Sequence, residues 1–528
     1  MNNFSSEIND ESDYVAVSDL KQKAITYFYE NLTSAQKESQ NFLSSDEEII
    51  SYAKKIAEKI RRFTNLYSAH DDTVQVLMDI AYENFGIVPP VIRCEDESKK
   101  TVIVTVPVPP QNNLHQIFPD THTVTVRMIS VSVSVTAVLF RLSDEMWWTR
   151  KLRKYYKRKK ETALIYFGKV NNRKGKYISD EGLIRFRSQK RRNRRILEKT
   201  LAINELGEEF SLQELSDKSV SNPELRRKEL MTRIAGFGEI AKASDDVGMF
   251  YTVTCPSRMH SYSAITGKPN PKYDGTTPDF AQKYLVDVWA RVRTKLNNMG
   301  IKLYGFRVAE PQHDATPHWH ILVFMPKEKA KIIGEIIKKY FLEEDGMEAG
   351  ANKYRYKEVF IDPKKGSAAG YIAKYISKNI NGCGLDSDID GGEPITASER
   401  VNAWANHWGI RQFQQLGGPP VTLWREIRKI GNGDLSGVIK DVHEAVNKPS
   451  WERFVNLLGG VLVKRKALAL SLYKVSTNKL NQYAEPITNQ IYGITDGLEI
   501  VKTRIHTWLV KYKSEISQNE AFDLVLGL

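Results

Sequence analysis

In Pro317-His318-Trp319-His320-Ile321-Leu322-Val323-Phe324-Met325-Pro326, two histidines flank a tryptophan and an apolar run follows. Aromatic and β-branched residues favour a pleated backbone, and the run has the length of a single strand. Successive strand side chains point to opposite faces, so His318 and His320 share one face while Trp319 takes the other. Two imidazoles spaced this way, about 7 Å apart at their Cα atoms, can converge on one ion. Just upstream, Tyr304 to Ala309 reads as a preceding strand that ends at Glu310. Glu310 is the first candidate for a third ligand, with Asp314 and His313 as competitors. Imidazole with an oxygen ligand suits Mn²⁺, and phosphate substrates usually meet Mg²⁺, so one of these two ions is expected.

About fifty residues on comes Gly370-Tyr371-Ile372-Ala373-Lys374-Tyr375-Ile376-Ser377-Lys378. On a helix, Tyr371 and Tyr375 lie one turn apart on one face, and Lys374 and Lys378 each follow a tyrosine by three. A phenol near pKa 10 is a poor nucleophile at neutral pH unless a cation and an aligned phosphate assist it. The pattern therefore points to two tyrosine nucleophiles with Lys374 and Lys378 as their cations. The plainer reading is an amphipathic helix whose tyrosines bury their rings on a sheet and keep their hydroxyls wet.

The rest of the chain bounds this chemistry. At 528 residues with 41% hydrophobic content, two to four domains with sizeable cores are expected. The formal net charge of +13 points to a polyanionic partner. Three scattered cysteines (Cys94, Cys255, Cys383) make neither a disulfide framework nor a zinc pattern. The opening Met-Asn-Asn-Phe-Ser-Ser-Glu lacks a basic segment followed by an apolar one, so no secretory signal is expected. The most apolar run, Ile129 to Phe140, is too short for a membrane span. A cytoplasmic location without membrane partners follows as the expectation. Thr266-Gly267-Lys268-Pro269 is no P-loop, so unwinding is expected to fall to another protein.

Between Arg150 and Lys199 stand twenty basic and four acidic residues. Arg185, Arg187, Lys190, Arg191, Arg192, Arg194 and Arg195 are the densest part, the kind of charge that contacts many phosphates. These seven are the expected DNA-binding residues. Tyr155, Tyr156, Trp404 and Trp408 are weaker candidates for stacking unpaired bases.

Phe250-Tyr-Thr-Val-Thr-Cys-Pro256, Pro317-His-Trp-His-Ile-Leu-Val-Phe324 and Tyr371-Ile-Ala-Lys-Tyr375 resemble, in order and spacing, the three motifs of HUH endonucleases. The tyrosine pair is similar to that of the bacteriophage replication gene A (GPA) family of rolling-circle initiators. The resemblance runs from about Trp147 to Ile430 and includes Gly409-Ile-Arg-Gln-Phe-Gln-Gln-Leu-Gly-Gly-Pro-Pro420. It implies that His318 and His320 bind metal, that Tyr371 and Tyr375 are the nucleophiles, and that the family's acidic position falls nearest Glu310. It also implies a strand-specific nickase and strand transferase acting on single-stranded and origin DNA in a bacterial host, through a 5′-phosphotyrosine, with a host helicase and replication machinery as partners. An HUH transposase or relaxase, or a non-catalytic DNA-binding regulator, are the alternatives.

The expected fold class is α+β, with a central HUH-type antiparallel sheet flanked by helices and largely helical N- and C-terminal regions. The expected divisions are a helical region over 1–95, a strand-rich segment over 96–145, and a basic, mainly helical DNA-binding region over 146–245. The endonuclease domain follows over 246–382, then a Gly/Asp-rich loop with the Trp-Gly-Ile-Arg-Gln-Phe segment over 383–432, and a helical region over 433–528. Thr121 to Phe140 is expected to form strands, and residues 200–245 to be helical.

Overall fold

A computed structural model of the chain describes residues 46–67, 77–78, 81, 101–108, 127–264, 266–364, 366–380, 394–431, 433, 435–477 and 479–513. The expectations for the first 45 residues, for 82–100, for 109–126 (with the first part of the Thr121 to Phe140 stretch), for the Gly/Asp loop 381–393 and for 514–528 lie outside the described residues, as do Cys94 and Cys383.

Among the described residues, from α1 (Asp46–Tyr67) onward, helices and small antiparallel sheets alternate, and the fold is α+β. The centre is a five-stranded antiparallel sheet in the order β8-β5-β7-β6-β9. Its strands are β5 (Asp246–Thr254), β6 (Tyr304–Pro311), β7 (Pro317–Pro326), β8 (Tyr356–Ile361) and β9 (Phe413–Leu416). The period-2 alternation sorts their side chains cleanly. Met249, Tyr251, Val253, Trp319, Ile321, Val323 and Met325 enter one core, while Phe250, Phe306, Val308, Leu322 and Phe324 enter another on the opposite face.

Each face is covered by helices. Over the Trp319 face lie α6 (Pro278–Asn298), α7 (Ala330–Phe341) and α9 (Pro394–Trp408). Over the His318 face lie α5 (Pro223–Ala243) and α8 (Ala368–Ile380), which carries both tyrosines. Asn222 caps α5 by accepting from the Glu224 N–H at 2.9 Å, with Pro223 in the first turn, where its missing donor costs nothing. Trp319 is locked on its side: its Nε1 donates to Gln282 Oε1 at 2.9 Å, and the Arg307 guanidinium lies 4.1 Å from its ring centroid.

The basic segment forms α3 (Glu145–Tyr166) and α4 (Asp180–Lys199). Buried Glu161 of α3 accepts from the Ser179 N–H at 2.7 Å and Ser179 Oγ at 2.8 Å, and Ser179 Oγ in turn caps α4 at Gly182 N. One carboxylate thus fastens two cationic helices that would otherwise repel.

Three expectations need correction. The strand expected to reach Phe140 is β2 (Arg127–Ser134, paired with β1, Thr101–Val108), and the chain turns helical from Val135 to Leu142 as α2. Val138, Arg141 and Leu142 fall on one buried helical face there, and Arg141 pairs with Glu485 at 2.6 Å. Helical packing therefore overrides the alternation of valines and serines. Residues 200–211 hold β3 (Thr200–Asn204) and β4 (Glu209–Ser211), not helix. The C-terminal region is helical only through α11 (Gly437–Asn447) and α12 (Trp451–Leu457). Beyond them, β10 (Ser471–Val475), β11 (Gln490–Thr495) and β12 (Ile500–Lys502) form a sheet, and β13 (Trp508–Tyr512) pairs with β3. These segments are rich in Ile, Val, Thr and aromatics, which fit a half-buried pleated surface.

Candidate active site

The hairpin between β6 and β7 sets the geometry. Its turn closes through Gln312 N donating to Thr316 O at 2.7 Å and Thr316 N donating to Asp314 Oδ1 at 3.1 Å, with Ala315 in the left-handed region (φ 72°). That turn puts Glu310 directly across from His318, and Val308 across from His320. On the other side of β7, Thr252 faces His320. Three side chains from two adjacent strands therefore meet on one face, where α8 crosses.

The ligand atoms of Glu310, His318 and His320 lie within 4.8 Å of one another, and no other such His/Cys/Asp/Glu trio occurs among the described residues. His318 Nε2 and His320 Nε2 are 3.0 Å apart, and His320 Nε2 is 3.7 Å from Glu310 Oε2. Adjacent ligands of one ion at about 2.1 Å stand roughly 3 Å apart, so the donor set fits a small divalent cation. Burial, then the neighbouring His320, pushes the His318 imidazole down to about 3, which keeps it in the neutral, ligating form. Burial alone would raise the Glu310 carboxyl, but the hydrogen bond and charge of His320, with Lys378 and His318, outweigh it and hold Glu310 at about 2. A buried, ionised Glu310 carboxylate in one cluster with the neutral His318 imidazole is a donor set that a divalent cation fits.

Around this trio stands a ring of supports. Thr252 Oγ1 is 3.1 Å from His320 Nδ1, leaving Nε2 to face the site. Asn379 donates both to Glu310 Oε1 and to the Tyr375 carbonyl, and Gln412 Nε2 donates to Asn379 Oδ1 at 3.2 Å. Lys378 is buried, with Nζ 3.7 Å from Glu310 Oε2 and 5.1 Å from the Tyr177 ring centroid.

The Tyr375 ring centroid lies 4.0 Å from that of His320 and 5.4 Å from that of Phe250. Tyr371 is one turn back, 6.2 Å from Phe250. Burial, then the charge on Glu310, pushes the Tyr375 phenol up to about 12, so the resting group is protonated. The two lysines do not divide between the tyrosines as their spacing suggests. Lys374 is exposed, its Nζ 4.9 Å from the Tyr375 ring centroid, and Lys378 turns inward to Glu310.

Asp314 and His313, the competitors for the third ligand place, lie in the hairpin turn, apart from the trio. Asp314 is buried and paired with His260 Nδ1 at 3.2 Å. Trp404 and Trp408 are buried in the core, Trp404 donating to Ala315 O at 2.8 Å, so neither can stack a base. On α4, Arg187, Lys190, Arg191, Arg194 and Arg195 are exposed at helical spacing along one face. Arg187 and Arg194 hold Glu399 and Glu198. Arg185 and Arg192 turn inward and line a pocket of about 360 Å³ with Lys157 and His407.

Thr252, Asn379 and Gln412 carry no local chemical signature. Asn379 follows Tyr375 by four and so shares its helix face, the one sequence signal that pointed to it.

Residues 111–383 match the family model of the bacteriophage replication gene A protein (GPA). The chain is 40% identical over 405 residues to the replication gene A protein of Escherichia phage 186, covering 75% of this chain and 58% of that protein. It is 37% identical over 385 residues to a probable replication protein P12 of Pseudoalteromonas phage PM2 (71% and 59% covered). A probable replication endonuclease from a prophage-like region of Salmonella typhimurium is 35% identical over 394 residues (71% and 48%). The chain thus spans between about half and three-fifths of the length of these relatives. No solved structure matches.

Proposed function

The chain belongs to the bacteriophage replication gene A protein family, and on that premise we propose that it is a site- and strand-specific DNA nickase and strand transferase of the HUH type. It starts rolling-circle replication of a phage or prophage genome in the cytoplasm of a bacterial host. The observation that carries this reading is the Tyr375 ring, its centroid 4.0 Å from that of His320, set beside a trio of two imidazoles and a carboxylate.

Glu310, His318 and His320 would hold a divalent ion, Mg²⁺ or Mn²⁺. When bound, such an ion polarises a non-bridging phosphate oxygen and offsets charge as an in-line displacement proceeds. The chain's own groups do the rest. Thr252 and Asn379 orient His320 and Glu310, and the cation of Lys378 offsets the carboxylate beside the reacting phenol. One tyrosine Oη gives up its proton and forms a bond to phosphorus, the bond from phosphorus to O3′ breaks, and the released 3′-oxygen takes up a proton, so the step is proton-neutral overall. The product is a 5′-phosphotyrosine and a free 3′-hydroxyl able to prime a polymerase. The second tyrosine, one turn away, lets the enzyme cut the regenerated origin without dissociating, and the new 3′-hydroxyl then reverses the first linkage to close a circle. The α4 cations and the rest of the basic segment dock the origin, and a host helicase opens it.

The test incubates the protein and Mn²⁺ with tiled single-stranded oligonucleotides from the replicon that encodes it. A denaturation-resistant adduct is expected, lost in the double variant Tyr371→Phe/Tyr375→Phe. An adduct that survives in the double variant overturns the assignment.

A further inference from the structure

Outside the trio, a concentration of positive charge lies beside β9, at the edge of the central sheet. A cleft of about 640 Å³ opens there between α5, β9, the Gly417–Pro420 loop and α10 (Val421–Ile427). Five arginines line it (Arg226, Arg233, Arg411, Arg425 and Arg465), and Glu229 is the acidic residue among them. Glu229 is already taken: it accepts from Arg425 at 2.7 and 2.8 Å and lies 3.3 Å from Arg233. Among the described residues, Arg226, Arg411 and Arg465 form no ion pair with a carboxylate.

Arg233 is the deepest, its side chain 9% exposed, with Nη1 donating to Gln415 Oε1 at 3.2 Å and Nε buried without a partner. Burial, opposed by Glu229 but reinforced by Arg425, Arg411 and Arg226, pushes its guanidinium down to about 10. Pressing like charges together in a half-enclosed space is unfavourable unless an anion relieves it. Arg226 lies over the Phe413 ring at 5.3 Å, which gives the cleft a flat, cationic floor. The rim is rigid. Gln415 Nε2 donates to Gly417 O and Pro419 O, and a Cβ at Gly417, whose φ is +69°, would stand 2.8 Å from Tyr304 Cβ.

The cleft is joined to the site of chemistry. Ala309 N donates to Gln412 O at 2.7 Å, and Gln412, itself part of the cleft wall, reaches Glu310 through Asn379. A half-enclosed volume of this size admits a short run of nucleotides and not a duplex.

We propose that this cleft is a phosphate-binding groove for single-stranded DNA flanking the scissile bond, with Arg226, Arg411 and Arg465 on backbone phosphates and Arg233 at its base. The proposal rests on the nickase reading for the strand's identity, and its test separates the two. Binding of a fluorescein-labelled 30-mer oligothymidylate to the full chain is followed by anisotropy in EDTA across a salt series, where no chemistry occurs. The variant Arg226→Gln/Arg411→Gln/Arg465→Gln should bind at least ten-fold more weakly. Its slope of log affinity against log salt should fall by about 2, three contacts at roughly 0.7 each. In parallel, 4-thiothymidine cross-linking of the unaltered protein should label residues 411–420 or 226–233. Unchanged affinity and slope in a variant with normal thermal melting, or cross-links confined to α4, overturns the groove. A wild-type protein that forms no adduct on the tiled oligonucleotides, while the groove variant still loses binding, sinks the nickase reading and leaves the groove standing.

Discussion

His320 is held from both sides: Thr252 Oγ1 faces its Nδ1, while its Nε2 points to His318 and Glu310. Metal ligation through Nε2 requires Nδ1–H to donate to Thr252. Thr252→Val keeps the shape and removes the acceptor, so Mn²⁺ affinity measured by calorimetry should fall by about 10–100-fold. An unaltered affinity would show that packing against Phe250 and Tyr375 alone orients the ring. Asp314 has a different part. Burial would raise its carboxyl, but the charge and hydrogen bond of His260, with His313 and the Thr316 N–H, hold it at about 2 against an ordinary 3.8. A depressed carboxylate stabilises the fold above its unfolded value, and that stability drains away as pH falls from about 4 through about 2. The gap is worth about 2 kcal/mol. Urea midpoints taken at pH 5, 4 and 3 should therefore drop in the wild type, and more shallowly in Asp314→Asn. Parallel profiles for the two proteins would rule the pair out as a source of acid sensitivity.

The strands set the site by register, and one glycine guards that register. Gly305 in β6 has φ +153°, and a Cβ there would stand 2.0 Å from the Leu322 carbonyl oxygen of β7. Gly305→Ala must push the two strands apart or twist β6, at a cost of about 2–4 kcal/mol. Because Glu310 is carried on the same strand, five residues on, Mn²⁺ affinity should fall along with the melting temperature. A lowered melting temperature with undiminished metal binding would mean that the hairpin turn alone fixes Glu310. The same logic explains what was legible in the sequence. The His-Trp-His alternation is read directly from the two-residue period of a strand, and the tyrosine spacing from the helical period. The place of Glu310 across from His318 depends on a turn whose length the motif does not carry. The strands β10 to β13 were missed because their alternation is short and broken by polar residues. The arginines of the cleft come from three distant stretches, around 226–233, 411–425 and 465, and only the packing of α5 against β9 and the loop after it unites them.

Among the described residues, positive charge stands on two surfaces of different shape, the cleft and the α4 stripe. The cleft beside β9 is half-enclosed, whereas the α4 stripe of Arg187, Lys190, Arg191, Arg194 and Arg195 is a convex helix face exposed to solvent. A convex stripe suits the outside of a duplex, whose phosphates it can follow without enclosing them. Five cations in full contact with phosphates would contribute about 4.5 to the salt slope on duplex DNA, at roughly 0.9 each. Arg187 and Arg194 already hold Glu399 and Glu198, so each must exchange a carboxylate for a phosphate and contributes less. Replacing all five by glutamine should therefore weaken binding to a 30-base-pair duplex and lower its slope by fewer than 4.5, while hardly touching binding to the oligothymidylate. The cleft variant should do the reverse. If both sets of substitutions shift both ligands equally, the molecule presents one diffuse cationic field and the division into a duplex surface and a single-strand groove fails.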